Sequence, residues 1–144
     1  CRIRDICALP PARPGPGEAV AADPEAVVAL VCTSGTTGAP KAVELTSAAF
    51  EAGAAASLQR LGGAADDRWL AAMPMCHVGG LSIAVRAALA GMTIVQHEGF
   101  DAARVDRSLR HDGIAFVSLV PTMLARVLDA GGDTPYPASL KAVV

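Results

Sequence analysis

The stretch VCTSGTTGAPKAVELTS, residues 31–47, decides how the rest of the chain is read. An apolar run enters it. Four hydroxyl residues and two glycines then fall within six positions, 33–38, and Pro40 and Lys41 follow. Gly35 and Gly38 carry no Cβ, so the backbone there can take positive φ and come close to a ligand. Thr33, Ser34, Thr36 and Thr37 offer hydroxyls to phosphate oxygens, and Lys41 adds a point charge on a mobile stem. A strand leading into such a loop and then a helix would set the loop N–H groups at the carboxyl edge of a parallel sheet, where open α/β sheets bind ligands. These are the parts of a polyphosphate cradle. The same composition also suits a polar surface loop. It is not a Walker A loop, because Ala39 and Pro40 separate Gly38 from Lys41, and it is not the G-x-G-x-x-G fingerprint.

Outward from this loop, strand and helix patterns alternate. Residues 26–32, AVVALVC, form a Val-rich run suited to a strand buried on both faces. Residues 47–61 are Ala-rich, with Thr46 or Ser47 as N-cap and Gly62-Gly63 as stop, which predicts a helix. WLAAM (69–73) predicts a strand ended by Pro74, and GLSIAVRAALAG (80–91) a helix ended by Gly91. MTIVQ (92–96) reads as a strand. DAARVDRSLRHDG (101–113) reads as a helix with Asp101 as cap and Gly113 as terminator. Its charges suit a wet face. IAFVSLV (114–120) is a strand, Pro121 opens a helix over TMLARVLDA, and LKAVV at the end is strand-like. The alternation predicts an α/β fold: three layers, αβα, around a mostly parallel sheet.

The composition excludes several classes. The 144 residues suit one domain, and 52% of them are hydrophobic, enough for a core. Aromatics are only 3%, and the net charge is −2 with no basic block, which argues against nucleic acid as a partner. No apolar run reaches about 18 residues, so no membrane span is expected. Residues 1–10 lack the apolar core of a signal peptide, and the chain begins with Cys1, as an excised or processed piece would. Cys1, Cys7, Cys32 and Cys76 form no C-x-x-C pair and no metal-ligand spacing, so reduced thiols and a cytoplasmic location are expected. Residues 9–24 hold five of the ten prolines. The chain is therefore divided into a lead-in and Pro-rich linker, 1–22, and an α/β subdomain, 23–144.

The nine residues TSGTTGAPK, 33–41, closely resemble the signature loop of the adenylate-forming enzymes, which include acyl- and aryl-CoA ligases, luciferases and peptide-synthetase adenylation domains. The family usually has glycine after the lysine; Ala42 stands there in this chain. The resemblance continues through WLAAMPMCHVGGLSIAVRAALAGMTIV and IAFVSLVPTMLARVLD, and leaves out residues 1–22. The wording of HVGGLSI and SLVPTMLARVL is most similar to the o-succinylbenzoate–CoA ligases of menaquinone synthesis.

The resemblance implies a subdomain of the family's N-terminal domain and a two-step reaction. A carboxylate attacks the α-phosphorus of ATP, pyrophosphate leaves, and the thiol of CoA displaces AMP from the acyl-adenylate. It implies that Thr33, Ser34, Gly35, Thr36, Thr37, Gly38 and Lys41 hold the β- and γ-phosphates, with Lys41 catalytic. It implies that His77, Gly79, Ser118, Pro121 and Thr122 line the acid site, with His77 also catalytic, orienting the carboxylate or gating the pocket. From the residues alone, His77 also suits a structural role, Gly79 and Gly80 a tight turn or mere packing, and Thr122 a helix cap. Met123 and Leu124 suit the core, Arg86 a solvated or capping position, and Asp66-Asp67-Arg68 a turn; His97 and His111 receive no role. Mg²⁺ would accompany ATP, with no ligand assignable in this chain. The family's acidic motif, ribose-binding aspartate and late lysine do not occur before Val144, so catalysis by this segment alone is not expected. A fatty-acyl or amino-acid-activating enzyme, or a non-catalytic nucleotide-binding module, remains open beside the aryl-acid reading. The oligomeric state is undetermined.

Overall fold

A computed structural model of the chain describes residues 23–33 and 41–144. The elements in order are β1 (Val27–Thr33), β2 (Lys41–Thr46), α1 (Ser47–Leu61), β3 (Arg68–Ala71), α2 (Val78–Ala90), β4 (Thr93–Gln96), α3 (Ala102–His111), β5 (Phe116–Val117), α4 (Pro121–Gly131) and β6 (Ala142–Val143). Strands β3–β6 form one parallel sheet in the order β4-β3-β5-β6. Helices cover both faces, so the α/β reading with three layers holds.

The sheet's inner strands are apolar at consecutive positions because both faces are covered. Trp69, Ala71 and Phe116 point to one side and pack with Ile83 and Ala87 of α2 and Leu58 and Leu61 of α1. Leu70 and Val117 point to the other and pack with Val105 and Leu109 of α3 and Val127 of α4. Each fully buried Val, Leu, Ile or Phe among them contributes roughly 1.5–3 kcal/mol of transfer free energy.

Local sequence accounts for the helix ends. Thr46 Oγ1 accepts from the Ala49 N–H at 3.3 Å and caps α1, and Gly62 ends it at φ 68° in the left-handed region. Asp101 Oδ1 caps α3 by accepting from the Arg104 N–H at 2.7 Å. Gly91 closes α2 at φ 70°. The turn expected at residues 66–68 is present: Asp67 Oδ2 accepts from the Ala64 N–H at 2.8 Å. Asp67 also pairs with Lys141 Nζ at 2.7 Å, tying this turn to the entry of β6.

Three expectations are corrected. The run 26–32 is not a strand of the parallel sheet. As β1 it pairs antiparallel with β2 in a separate two-stranded ribbon, in register Thr33↔Lys41, Val31↔Val43 and Ala29↔Leu45. Val27, Val28 and Leu30 are about half exposed there. The glycine-rich loop therefore leads from strand to strand, not from strand to helix. The overlooked signal is KAVELT, a run with strand-forming alternation just ahead of the Thr46 cap.

The second correction concerns α3. Its charges are not all solvated: Asp106 is buried, and its carboxylate accepts from Arg110 Nε at 3.0 Å and from Tyr136 Oη at 2.9 Å. Arg110 also donates to the carbonyls of Gly131, Thr134 and Pro135, and its guanidinium stacks 4.5 Å from the Tyr136 ring centre. This clasp fastens the end of α4 and the approach to β6 onto α3. The Arg110 hydrogen bond holds the Asp106 carboxyl below its ordinary value. A depressed folded-state pKa gives stability that is present above the ordinary carboxylate value and lost as pH falls through the depressed one. Asp106→Asn is thus expected to lower the melting temperature at neutral pH and to flatten its fall below about pH 4. Melting curves from pH 7 to pH 2.5 check this; parallel wild-type and variant curves would count against it.

The third correction is Arg86. It is neither solvated nor a cap; it lies between α2 and the sheet, stacked on Trp69.

Candidate functional site

The chain leaves β3 through α2 to reach β4 on one side, then crosses to β5 on the other side of β3 and continues through α4 to β6. Strands β3 and β5 are neighbours whose following helices, α2 and α4, run to opposite sides. That is a topological switch point, and its crevice lies outside the carboxyl ends of the two strands. His77 and Gly79 follow β3; Ser118, Pro121 and Thr122 follow β5. The topology therefore brings the five candidate acid-site residues to one sheet edge.

The β3 side is built on the turn PMCH. The His77 N–H donates to the Pro74 carbonyl at 3.2 Å, and the His77 carbonyl accepts from the Leu81 N–H at 2.9 Å. His77 is thus the N-cap residue of α2, with extended backbone and an imidazole that is exposed and takes no part in capping. A Cβ on Gly80 would run into the Pro74 carbonyl oxygen, and one on Gly79 would lie 2.6 Å from Met73 Cε. Both glycines are helical residues, not turn residues, and Gly80 serves the close approach of α2 to the turn.

On the β5 side, Ser118 is buried, and its Oγ accepts from Trp69 Nε1 at 3.2 Å. Pro121 is the first residue of α4 and Thr122 is exposed. The N-cap is Val120, with no side-chain capping bond, so Thr122 does not cap the helix. Met123 and Leu124 pack against the core, as their composition implied.

A cleft of about 310 Å³ opens between α1 and α2, lined by Leu45 of β2 and by Phe50, Ala54, Gly79, Ser82 and Arg86. It joins the base of the ribbon to the first turns of α2. Arg86 Nη2 donates to Ser82 Oγ at 3.0 Å, and the guanidinium carbon lies 4.8 Å from the Trp69 ring centre. Nε and Nη1 are buried and have no acceptor among the described residues. Burial pushes the Arg86 guanidinium below its ordinary value. Sequence reading missed this residue. The one available signal was a single cation in an otherwise apolar helix, GLSIAVRAALAG.

Of the phosphate-loop candidates, Ser34, Gly35, Thr36, Thr37 and Gly38 lie outside the described residues. The backbones of Thr33 and Lys41 face each other across the ribbon, which brings the two ends of the signature together. His97 is buried after β4, with Nε2 3.1 Å from Ser108 Oγ, and burial, then Arg104, lowers its pKa. Among the described residues, no group of three His, Cys, Asp or Glu side chains could hold a metal ion, and no helix is long and apolar enough to cross a membrane.

This geometry has close counterparts. The profile of the AMP-binding enzyme family matches residues 5–144 and so reaches into the segment 1–22, where no resemblance was expected. The chain is 40% identical over 120 residues to the 2-succinylbenzoate–CoA ligase of Bacillus mycoides (strain KBAB4), a match covering 83% of this chain and 25% of that protein. With the ligase of the same name from Bacillus cereus (strain AH820) it shares 41% over 115 residues, 80% of this chain and 24% of the relative. The chain thus spans about a quarter of the length of the curated relatives it matches. Among solved structures, it resembles o-succinylbenzoate CoA synthetase (MenE) from Bacillus subtilis in complex with ATP and magnesium ion, with TM-score 0.77 and 36% identity over 85% of this chain and 25% of that one. It also resembles MenE in complex with the acyl-adenylate intermediate OSB-AMP, with TM-score 0.78 and 35% identity over the same shares. On its matched residues and its sheet, the chain belongs to the AMP-binding enzyme family.

Proposed function

We propose that the chain is part of an ATP-dependent ligase that converts a carboxylic acid to its acyl-adenylate and then to a CoA thioester. The acid proposed is o-succinylbenzoate, in menaquinone synthesis. The observation that carries this is the register Thr33↔Lys41, which joins the ends of TSGTTGAPK on a ribbon whose base shares a cleft with Gly79 and Arg86. The chemistry requires an anionic acid to approach a polyanion. Hydroxyls of Thr33, Ser34, Thr36 and Thr37, N–H groups at Gly35 and Gly38, and the Lys41 ammonium would hold the β- and γ-phosphates and lower that barrier by preorganised charge. Magnesium would accompany ATP; the described residues offer no ready cluster of ligands for it. Residues 1–22 would serve as a Pro-rich lead-in and 23–144 as the working subdomain, in a reducing, cytoplasmic setting that suits the free thiols of Cys32 and Cys76.

Apolar Leu45, Phe50 and Ala54 suit an aryl ring. The Arg86 guanidinium lining this cleft favours an acid with a second anionic group, as o-succinylbenzoate has, over a plain fatty acid. His77, Gly79, Ser118, Pro121 and Thr122 would form the wall on the sheet side. ATP–pyrophosphate exchange by the full-length protein that carries this segment, run against aryl, fatty and amino acids, tests the proposal. Exchange dependent on o-succinylbenzoate is expected. Exchange with none of the acids would leave only a nucleotide-binding module. His77→Ala is expected to raise the KM for the acid about three- to tenfold, the worth of one hydrogen bond; an unchanged KM removes His77 from the site.

A further inference from the structure

Trp69 is fully buried, yet it is the middle link of a chain of contacts that runs from α2 to the segment after β5. On the α2 side, Ser82 Oγ donates to the Gly79 carbonyl at 3.0 Å and accepts from Arg86 Nη2 at 3.0 Å. The Arg86 guanidinium rests over the indole at 4.8 Å. On the β5 side, the same indole donates through Nε1 to Ser118 Oγ at 3.2 Å. Phe116, paired with Trp69 across the sheet, tilts against it with ring centres 5.0 Å apart and blocks sideways movement. One rigid ring therefore connects the first turn of α2 with the segment that opens α4. A leucine in its place would fill much of the volume but supply neither the π face nor the N–H.

We propose that Trp69 is a positioning residue for acid recognition, holding Arg86 on one wall and Ser118 on the other without itself touching the acid. This rests on the ligase reading above. The pull of the ring quadrupole on the guanidinium fixes where the Arg86 head group lies in the cleft. The indole N–H fixes the Ser118 rotamer and, through it, the exit of β5. On that reading ATP would be held by residues 33–41, so its KM should not depend on this chain of contacts.

The test is steady-state kinetics of the full-length protein with Trp69→Phe, Ser118→Ala and the double variant. Trp69→Phe keeps a ring under Arg86 and removes the N–H; Ser118→Ala removes only the acceptor and perturbs the core least. Each is expected to raise the KM for the acid about tenfold, with the KM for ATP moving less than about twofold. The double variant should be no worse than either single variant, because both remove the same link. An unchanged acid KM in both single variants would overturn the proposal, and so would equal rises in both KM values, the mark of a merely structural residue. Wild-type protein that activates no acid would instead remove the ligase reading, and this inference with it.

Discussion

Replacing Lys41 by alanine in the full-length protein is expected to slow ATP–pyrophosphate exchange by about 100- to 1,000-fold, the usual effect of removing one preorganised donor from a developing charge. The thioester step should suffer much less. In adenylation, the β- and γ-phosphates leave as pyrophosphate and charge builds on them; in thioester formation they are already gone. A cation that serves the phosphate tail therefore acts on one half-reaction. Lys41 opens β2 directly opposite Thr33, so the substitution leaves the strand pairing intact: the ladder is formed by backbone groups. Exchange and single-turnover thioester formation from supplied acyl-adenylate, measured on the same preparation, separate the two. Equal losses in both would remove Lys41 from the phosphate site.

Gly80→Ala is expected to cost roughly 1–3 kcal/mol of stability through overpacking and to raise the KM for the acid. Two effects oppose each other. Alanine gains up to about 1 kcal/mol over glycine inside a helix. The added Cβ meets the Pro74 carbonyl oxygen, its carbon at 2.8 Å and Met75 Cα at 3.1 Å, all backbone atoms that cannot rotate away. Overpacking should win, and the relief available is a shift of α2 away from the PMCH turn, which carries His77. Gly53→Ala supplies the contrast: a Cβ there meets nothing within 4 Å, so it should stabilise the protein by the propensity gain alone. Melting temperatures of the two variants check the sign. A Gly80→Ala protein as stable as wild type would show that α2 does not need its close approach to the turn.

Most of the element pattern was legible because its signals are local. Thr46 and Asp101 cap helices through bonds to N–H groups three residues on, and Gly62 and Gly91 end helices by taking positive φ. The candidate acid-site residues were likewise named from the string PMCHVGG and the run SLVPT. Their gathering at one edge followed once β3 and β5 proved to be neighbours. The reading of residues 26–32 failed for a physical reason. A Val-rich run looks the same in a central strand and in a two-stranded ribbon, and only the partner strand tells them apart. Asp106, Arg110 and Arg86 failed in a related way. Charge on a helix is solvated by default, and burial depends on Tyr136 or Trp69 arriving from distant parts of the chain.

From the sequence alone came the alternating α/β pattern, most helix caps and stops, and the nine-residue string TSGTTGAPK, because each depends on neighbours within a few positions. The tertiary structure alone decided that the two ends of the signature pair in an antiparallel ribbon, that Arg86 lines a cleft and stacks on Trp69, and that Trp69 reaches Ser118. Those facts depend on contacts such as the one between positions 69 and 118, separated by 49 residues. No periodicity or cap encodes a meeting of that kind; it exists only once the sheet has chosen its strand order.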